Sequence, residues 1–109
     1  MPQFIYRIQP TRLDMLSAGL TEDEAQVVGE HFTYLEELTE QGIVLMAGRT
    51  LIPDEQAFGI VVFEAESEVV AKEIMVNDPA VVKGVMRAEI WPFRVALWSA
   101  QGPRGQEKV

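Results

Sequence analysis

Two runs in this chain, Ile43–Gly48 and Phe58–Phe63, are apolar without alternation. Each is strand-sized and bounded by turn residues, with Gly42 before the first and Pro53-Asp54-Glu55-Gln56 between them. They lie close enough to form a hairpin. A sheet strand that is apolar on both sides needs cover on both faces, so whatever else the chain builds must supply that cover or recruit it.

The remaining elements follow in order. Phe4 to Gln9 alternates, with Phe4, Tyr6 and Ile8 on one side and Ile5, Arg7 and Gln9 on the other, and reads as a strand ended by Pro10. Thr11 to Leu20 reads as a connection. Thr21-Glu22-Asp23-Glu24 is a capping box, in which Thr21 caps and Glu24 reaches back. The helix it opens runs to about Gln41 and stops at Gly42. At ~100° per residue, Val28, Phe32, Leu35 and Thr39 form its apolar stripe, with Ala25 and Leu38 at the margins. Glu22, Glu30, Glu36, Glu37 and Glu40 face away. Ser67 caps a second helix, with Val70, Ala71, Ile74 and Met75 on its buried side, ending near Asn77. Asp78-Pro79 opens a short turn closed by Gly84. Met86 to Ile90 alternates as the last strand, interrupted at Pro92, and Phe93 to Trp98 resumes an apolar pattern. Residues 1–98 read as one domain and 99–109 as a loose polar tail. Met15, Met46, Met75 and Met86 read as core filler.

The order is β-α-β-β-α-β, an α+β chain with the ferredoxin-like arrangement: a four-stranded antiparallel sheet with two helices on one face. One helical layer covers one face of the two apolar strands. No third helix is available for the other, so a second copy is the economical cover. A homodimer with the sheets face to face in C2 symmetry is expected.

Composition removes several function classes. The 109 residues carry 17 acids against 9 bases, a net charge of −8, with no cysteine and one histidine. An acidic chain without a basic cluster is a poor nucleic-acid binder and a poor ligand for anionic membranes. No apolar run approaches the ~20 residues of a membrane span. Met1-Pro2-Gln3 opens without a basic, then apolar, leader, so no signal peptide is expected and the cytoplasm is the expected location. Without cysteine there is no disulfide framework, thiolate nucleophile or Cys-type zinc site. One histidine without His-x-His or Glu-x-x-His spacing argues against a metal. No Gly-x-Gly-x-x-Gly is present, and no cofactor is expected.

His31-x-x-Tyr34-Leu35-x-x-Leu38-x-x-x-Gly42, then Ala47-Gly48, Asp78-Pro79 with Gly84, and Trp91-Pro92-Phe93 together resemble the YciI-like (YCII-related) family. The resemblance runs from about Phe4 to Phe93. It implies a dimeric α/β barrel of ferredoxin-like subunits and a site built on a His–Asp pair, which maps to His31 and Asp78. It also implies an activity such as the dehydrochlorinase reaction of one relative, which acts on chlorinated aromatics.

The candidate residues have their own chemistry. His31 lies ~60° from the centre of the apolar stripe, inside its edge, on a helix with a solvated face to spare. Its ordinary pKa of ~6.5 suits proton transfer at neutral pH; the competing reading is a hydrogen-bonded core histidine. Asp78 precedes proline and suits a helix cap; paired with His31 it would orient the ring and stabilise the imidazolium. Arg49 follows Gly48, which permits close backbone approach, and could clamp an anionic group or pair with a surface glutamate. Tyr34 could line a pocket beside His31 or simply pack. Arg7 could bind substrate or form an ion pair in the dimer interface. Trp91 and Phe93 could wall a pocket, with interface packing favoured for both. No serine, cysteine or threonine stands out as a nucleophile. These residues suit a lyase- or isomerase-type enzyme acting on a small organic acid or ring compound. The alternative is a ligand-binding or dimeric interaction module without turnover.

Overall fold

The structure is a computed structural model in which residues 1–104 are described. Its elements are β1 (Gln3–Pro10), α1 (Met15–Ala18), α2 (Glu22–Glu40), β2 (Val44–Arg49), β3 (Gly59–Glu64), α3 (Glu68–Val76), α4 (Pro79–Val82) and β4 (Met86–Phe93). The strands form one sheet in the order β2-β3-β1-β4, with every pairing antiparallel. This α+β architecture is compatible with the ferredoxin-like arrangement. Of the expected tail, residues 105–109 lie outside the described residues.

The alternation of β1 decides which face is buried. Phe4, Tyr6 and Ile8 point to one side, where the register sets them beside Phe63, Val61 and Gly59 of β3 and beside Ile90 and Ala88 of β4. Leu35, Tyr34 and Leu38 of α2 and Ala71, Val70, Ile74 and Met75 of α3 pack on this side. The Tyr6 ring meets Phe63 edge-on at 5.7 Å between centroids. Burying each large side chain here contributes roughly 1.5–3 kcal/mol. Gly59 is the close approach in this layer: a Cβ there would meet Ile8 Cγ1 at 3.1 Å and the Gly48 carbonyl at 3.3 Å. Gly48, the glycine to which the sequence reading gave that role, has open space around it.

The opposite face carries Ile5, Arg7, Ile60, Val62, Met46, Glu89, Trp91 and Phe93 by the same register. Val62 is buried there, but Met46, Trp91 and Phe93 are more than two-fifths exposed. Met46 is thus not core filler. Met15 is fully buried, and Met75 and Met86 pack against the core.

Three local differences from the sequence reading have physical causes. The connection after β1 contains the short helix α1, which inserts Met15 into the interior. The Arg12 side chain fixes its ends, donating to both Glu24 oxygens at 2.9 and 2.7 Å, to Asp14 at 2.7 Å and to the Gly19 carbonyl at 2.8 Å. β4 continues through Pro92 because β4 is an edge strand, where one missing N–H is tolerated. On α2 the buried side is centred on Val27 and Leu35, and Phe32 and Thr39 are exposed. The burial is therefore rotated from the expected stripe towards His31.

Candidate functional site

Helix α2 begins at a complete capping box, in which Thr21 Oγ1 accepts from Glu24 N and Glu24 Oε1 accepts from Thr21 N. It ends before Gly42, whose φ of 78° is left-handed. Between these stops the helix presents His31 to the loop that joins α3 to α4. There Asp78 caps α4, with its Oδ1 accepting from Ala80 N at 2.9 Å and Pro79 at the first helical position. Asp78 is fully buried. His31 Nδ1 lies 2.7 and 2.8 Å from its two carboxylate oxygens. Just outside the pair, Lys83 Nζ donates to Glu30 at 2.8 Å and ties α4 to α2.

The imidazole also lines a cavity of about 650 Å³ between α2 and the sheet. Such a volume suits a small organic ligand. Val28, Phe32 and Leu35 form the helix wall, Ile8, Val61 and Phe58 belong to the sheet side, and Met15, Leu16 and Leu20 come from the connection containing α1. Phe32 and Val28, the expected core stripe, thus face the cavity. His31 Nε2 makes no hydrogen bond among the described residues and is not sealed from solvent. Arg49 lines the same cavity from the end of β2. Thr50 lines it too, but its hydroxyl is engaged with the backbone of Phe58, accepting from N at 3.0 Å.

The YCII-related domain family model matches residues 5–94, a span that includes every one of these side chains. This chain belongs to the YCII-related domain family. Among solved structures, this YCII-related domain resembles 5-chloro-2-hydroxyhydroquinone dehydrochlorinase (TftG) from Burkholderia phenoliruptrix AC1100, in complex with 2,5-dihydroxybenzoquinone. The TM-score is 0.60 at 19% identity, over 84% of this chain and 93% of that one, a likeness of fold. A search of curated proteins finds no match.

The sequence candidates divide by the sheet. His31 and Arg49 both line the cavity of the YCII-related domain, and Asp78 is buried behind His31 against its Nδ1. Tyr34, one turn after His31, is directed to α3, where its hydroxyl donates to the Ile74 carbonyl at 2.6 Å. Burial, then the Asp78 charge, pushes its pKa up to about 12. Arg7 lies on the other face of the sheet. Its Nη2 donates to Glu89 at 2.7 Å, its guanidinium sits 5.5 Å from the Trp91 ring centroid, and its Nε is buried without a partner among the described residues. Trp91 and Phe93 share that face and do not line the large cavity. Among the described residues, no three His, Cys, Asp or Glu side chains gather as metal ligands.

One residue at the site was missed. Tyr6 is fully buried, and its hydroxyl donates to Asp78 Oδ2 at 2.8 Å. The available signal was a phenol on the inward side of β1, since a buried tyrosine hydroxyl requires a partner. Burial, with the Asp78 charge and this hydrogen bond, raises the Tyr6 pKa above the ordinary tyrosine range.

Proposed function

We propose that this YCII-related domain is a cofactor-independent enzyme that moves a proton on a small ring compound or organic acid, in a lyase- or isomerase-type reaction. The observation that carries the reading is the His31–Asp78 pair, with Nδ1 held by a buried carboxylate and the ring lining a mostly apolar cavity. His31 Nε2 is the base. It takes a proton from an acidic O–H or C–H of the bound compound. The electron pair left behind expels a leaving group such as chloride, or returns to another carbon that takes the proton back from the imidazolium. Asp78 orients the ring and offsets the charge it gains. Arg49 holds an anionic group of the bound substrate. A positioned base of this kind contributes about 10²–10⁴ in rate. The fold likeness to a dehydrochlorinase of a hydroxyhydroquinone supports an aromatic ring as the first substrate class to try.

The test is chloride release from chlorinated hydroxyhydroquinones by the wild type, His31→Ala and Arg49→Met. The reading expects turnover by the wild type, a loss of about 10²–10⁴ in kcat for His31→Ala, and a raised KM for Arg49→Met. Thermal stabilisation by 2,5-dihydroxybenzoquinone with no turnover of any substrate in the panel supports a binding module instead.

The second face of the sheet supports a proposed homodimer, the two sheets facing each other to form an α/β barrel. Met46, Trp91 and Phe93 are exposed there beside the Arg7–Glu89 pair. In this reading residues 1–98 are the assembling domain and 99–109 a tail.

A further inference from the structure

We infer that Tyr6 is a positioning residue of the site: its hydroxyl holds Asp78 as an ionised carboxylate and thereby sets how tightly His31 keeps a proton. This deepens the proton-transfer reading above and rests on it for its functional meaning.

The Asp78 carboxylate receives the Ala80 N–H at Oδ1 and the Tyr6 O–H at Oδ2, and both oxygens face His31 Nδ1. The Ala80 amide can only donate. The Tyr6 hydroxyl has no other partner among the described residues. Two donors besides the imidazole favour the charged form of a buried carboxylate, and an ionised carboxylate only accepts. The third contact must then also be a donor, so His31 carries its proton on Nδ1 and leaves the Nε2 lone pair for the cavity. Without the phenol, the carboxylate would have one donor fewer and would hold a proton, shared with the imidazole, up to higher pH. Tyr6 thus favours release of the proton held between the two groups. It does so from β1, the central strand paired to both β3 and β4, so its position is set by the core rather than by a loop.

Other charged or titratable groups lie around this pair. Tyr34 on α2 feels the Asp78 charge but donates to Ile74. The Lys83–Glu30 pair bridges α4 and α2, and Arg49 on β2 shares the cavity. None of these donates to Asp78.

The chain's one histidine makes the readout unambiguous. The His31 Hε1 resonance is followed by NMR against pH, without substrate, in the wild type and in Tyr6→Phe. The midpoint should rise by about 0.5–1 unit in Tyr6→Phe, less than the roughly 1–2 units that one hydrogen bond to a charged group is worth at the acceptor itself, because His31 feels the loss through Asp78, and should stay in place in Tyr34→Phe. An unchanged or lowered midpoint in folded Tyr6→Phe overturns the inference, as does an equal rise in Tyr34→Phe. If Tyr6→Phe fails to fold, 3-fluorotyrosine incorporated at the chain's two tyrosines decides. Its more acidic phenol donates more strongly, so the midpoint should fall, and an unmoved midpoint overturns the inference. A shifted midpoint in a protein whose turnover ignores His31→Ala would leave the role of Tyr6 standing and remove the enzymatic reading. The reverse result would separate the two in the other direction.

Discussion

Asp78 faces three potential donors at once, the Ala80 amide, the Tyr6 hydroxyl and His31 Nδ1, from full burial. Replacing it by alanine leaves the first two without an acceptor and removes a helix cap. Asp78→Ala is therefore expected to destabilise the fold by about 2–4 kcal/mol, and Asp78→Asn by less, measured by urea denaturation. The residue scale is also where the sequence is least complete. His31 and Arg49 stood out in the sequence as candidates, an imidazole near an apolar stripe and an arginine after a strand glycine, and both line the cavity. The pairing with Asp78 came from family resemblance, since an acid before proline is fully accounted for by capping. Tyr6 was read only as an inward strand residue. Its partner lies 72 positions away and is brought to it by sheet order, which no local pattern encodes.

At the scale of elements, α2 carries the site and its first turn holds it in place. Thr21→Ala is expected to cost about 1 kcal/mol, by thermal or chemical denaturation. Hydrogen bonds from Arg12 first, then from the Thr21 backbone, lower the Glu24 pKa from 4.5 to about 2. A carboxylate depressed in the folded state stabilises above its unfolded pKa and loses that contribution as pH falls through the folded one. Stability attributable to Glu24 should therefore decline between pH 4.5 and about 2, and Glu24→Gln should flatten the profile in that window. Tyr34 works in the opposite direction. Its pKa is raised from 10.0 to about 12, so its contribution is complete below pH 10 and fades as pH rises through 12. Tyr34→Phe should weaken that alkaline loss. The bounds of α2, α3 and the strands were legible because caps, glycines and alternation act locally. The rotation of burial on α2 was not. The pattern counts Phe32 and Val28 as core, whereas in the fold they face a cavity, and a cavity is a property of what the neighbours leave empty.

For the whole molecule, the two-sided apolar strands were the informative feature. One side is the core, and the other leaves Met46, Trp91 and Phe93 exposed beside Arg7. The proposed homodimer would cover them, and a stable interface buries about 800 Å² per partner. Trp91→Asp with Phe93→Asp is expected to give a monomer by light scattering, with the secondary structure retained in circular dichroism. A wild type that is already monomeric at micromolar concentration would remove the dimer proposal and leave the His31–Asp78 site untouched, because that site lies on the other face. The order of the main elements and the antiparallel four-stranded sheet were legible as a whole. Arg7 was placed on the correct side of β1 relative to Phe4 and Tyr6, yet its rival role as an interface ion pair fits its contacts with Glu89 and Trp91 better than substrate binding does.

The proposed proton transfer needs an imidazole whose Nδ1 carries its proton towards Asp78 and whose Nε2 is a bare base open to the cavity. Long-range nitrogen–proton correlation spectra of His31, recorded with and without 2,5-dihydroxybenzoquinone, read both nitrogens directly. The expected spectrum shows a protonated Nδ1 and an unprotonated Nε2 in the free protein, with the Nε2 resonance moving when the quinone binds. A proton on Nε2 in the neutral ring, or an Nε2 indifferent to a quinone that binds elsewhere, would contradict it.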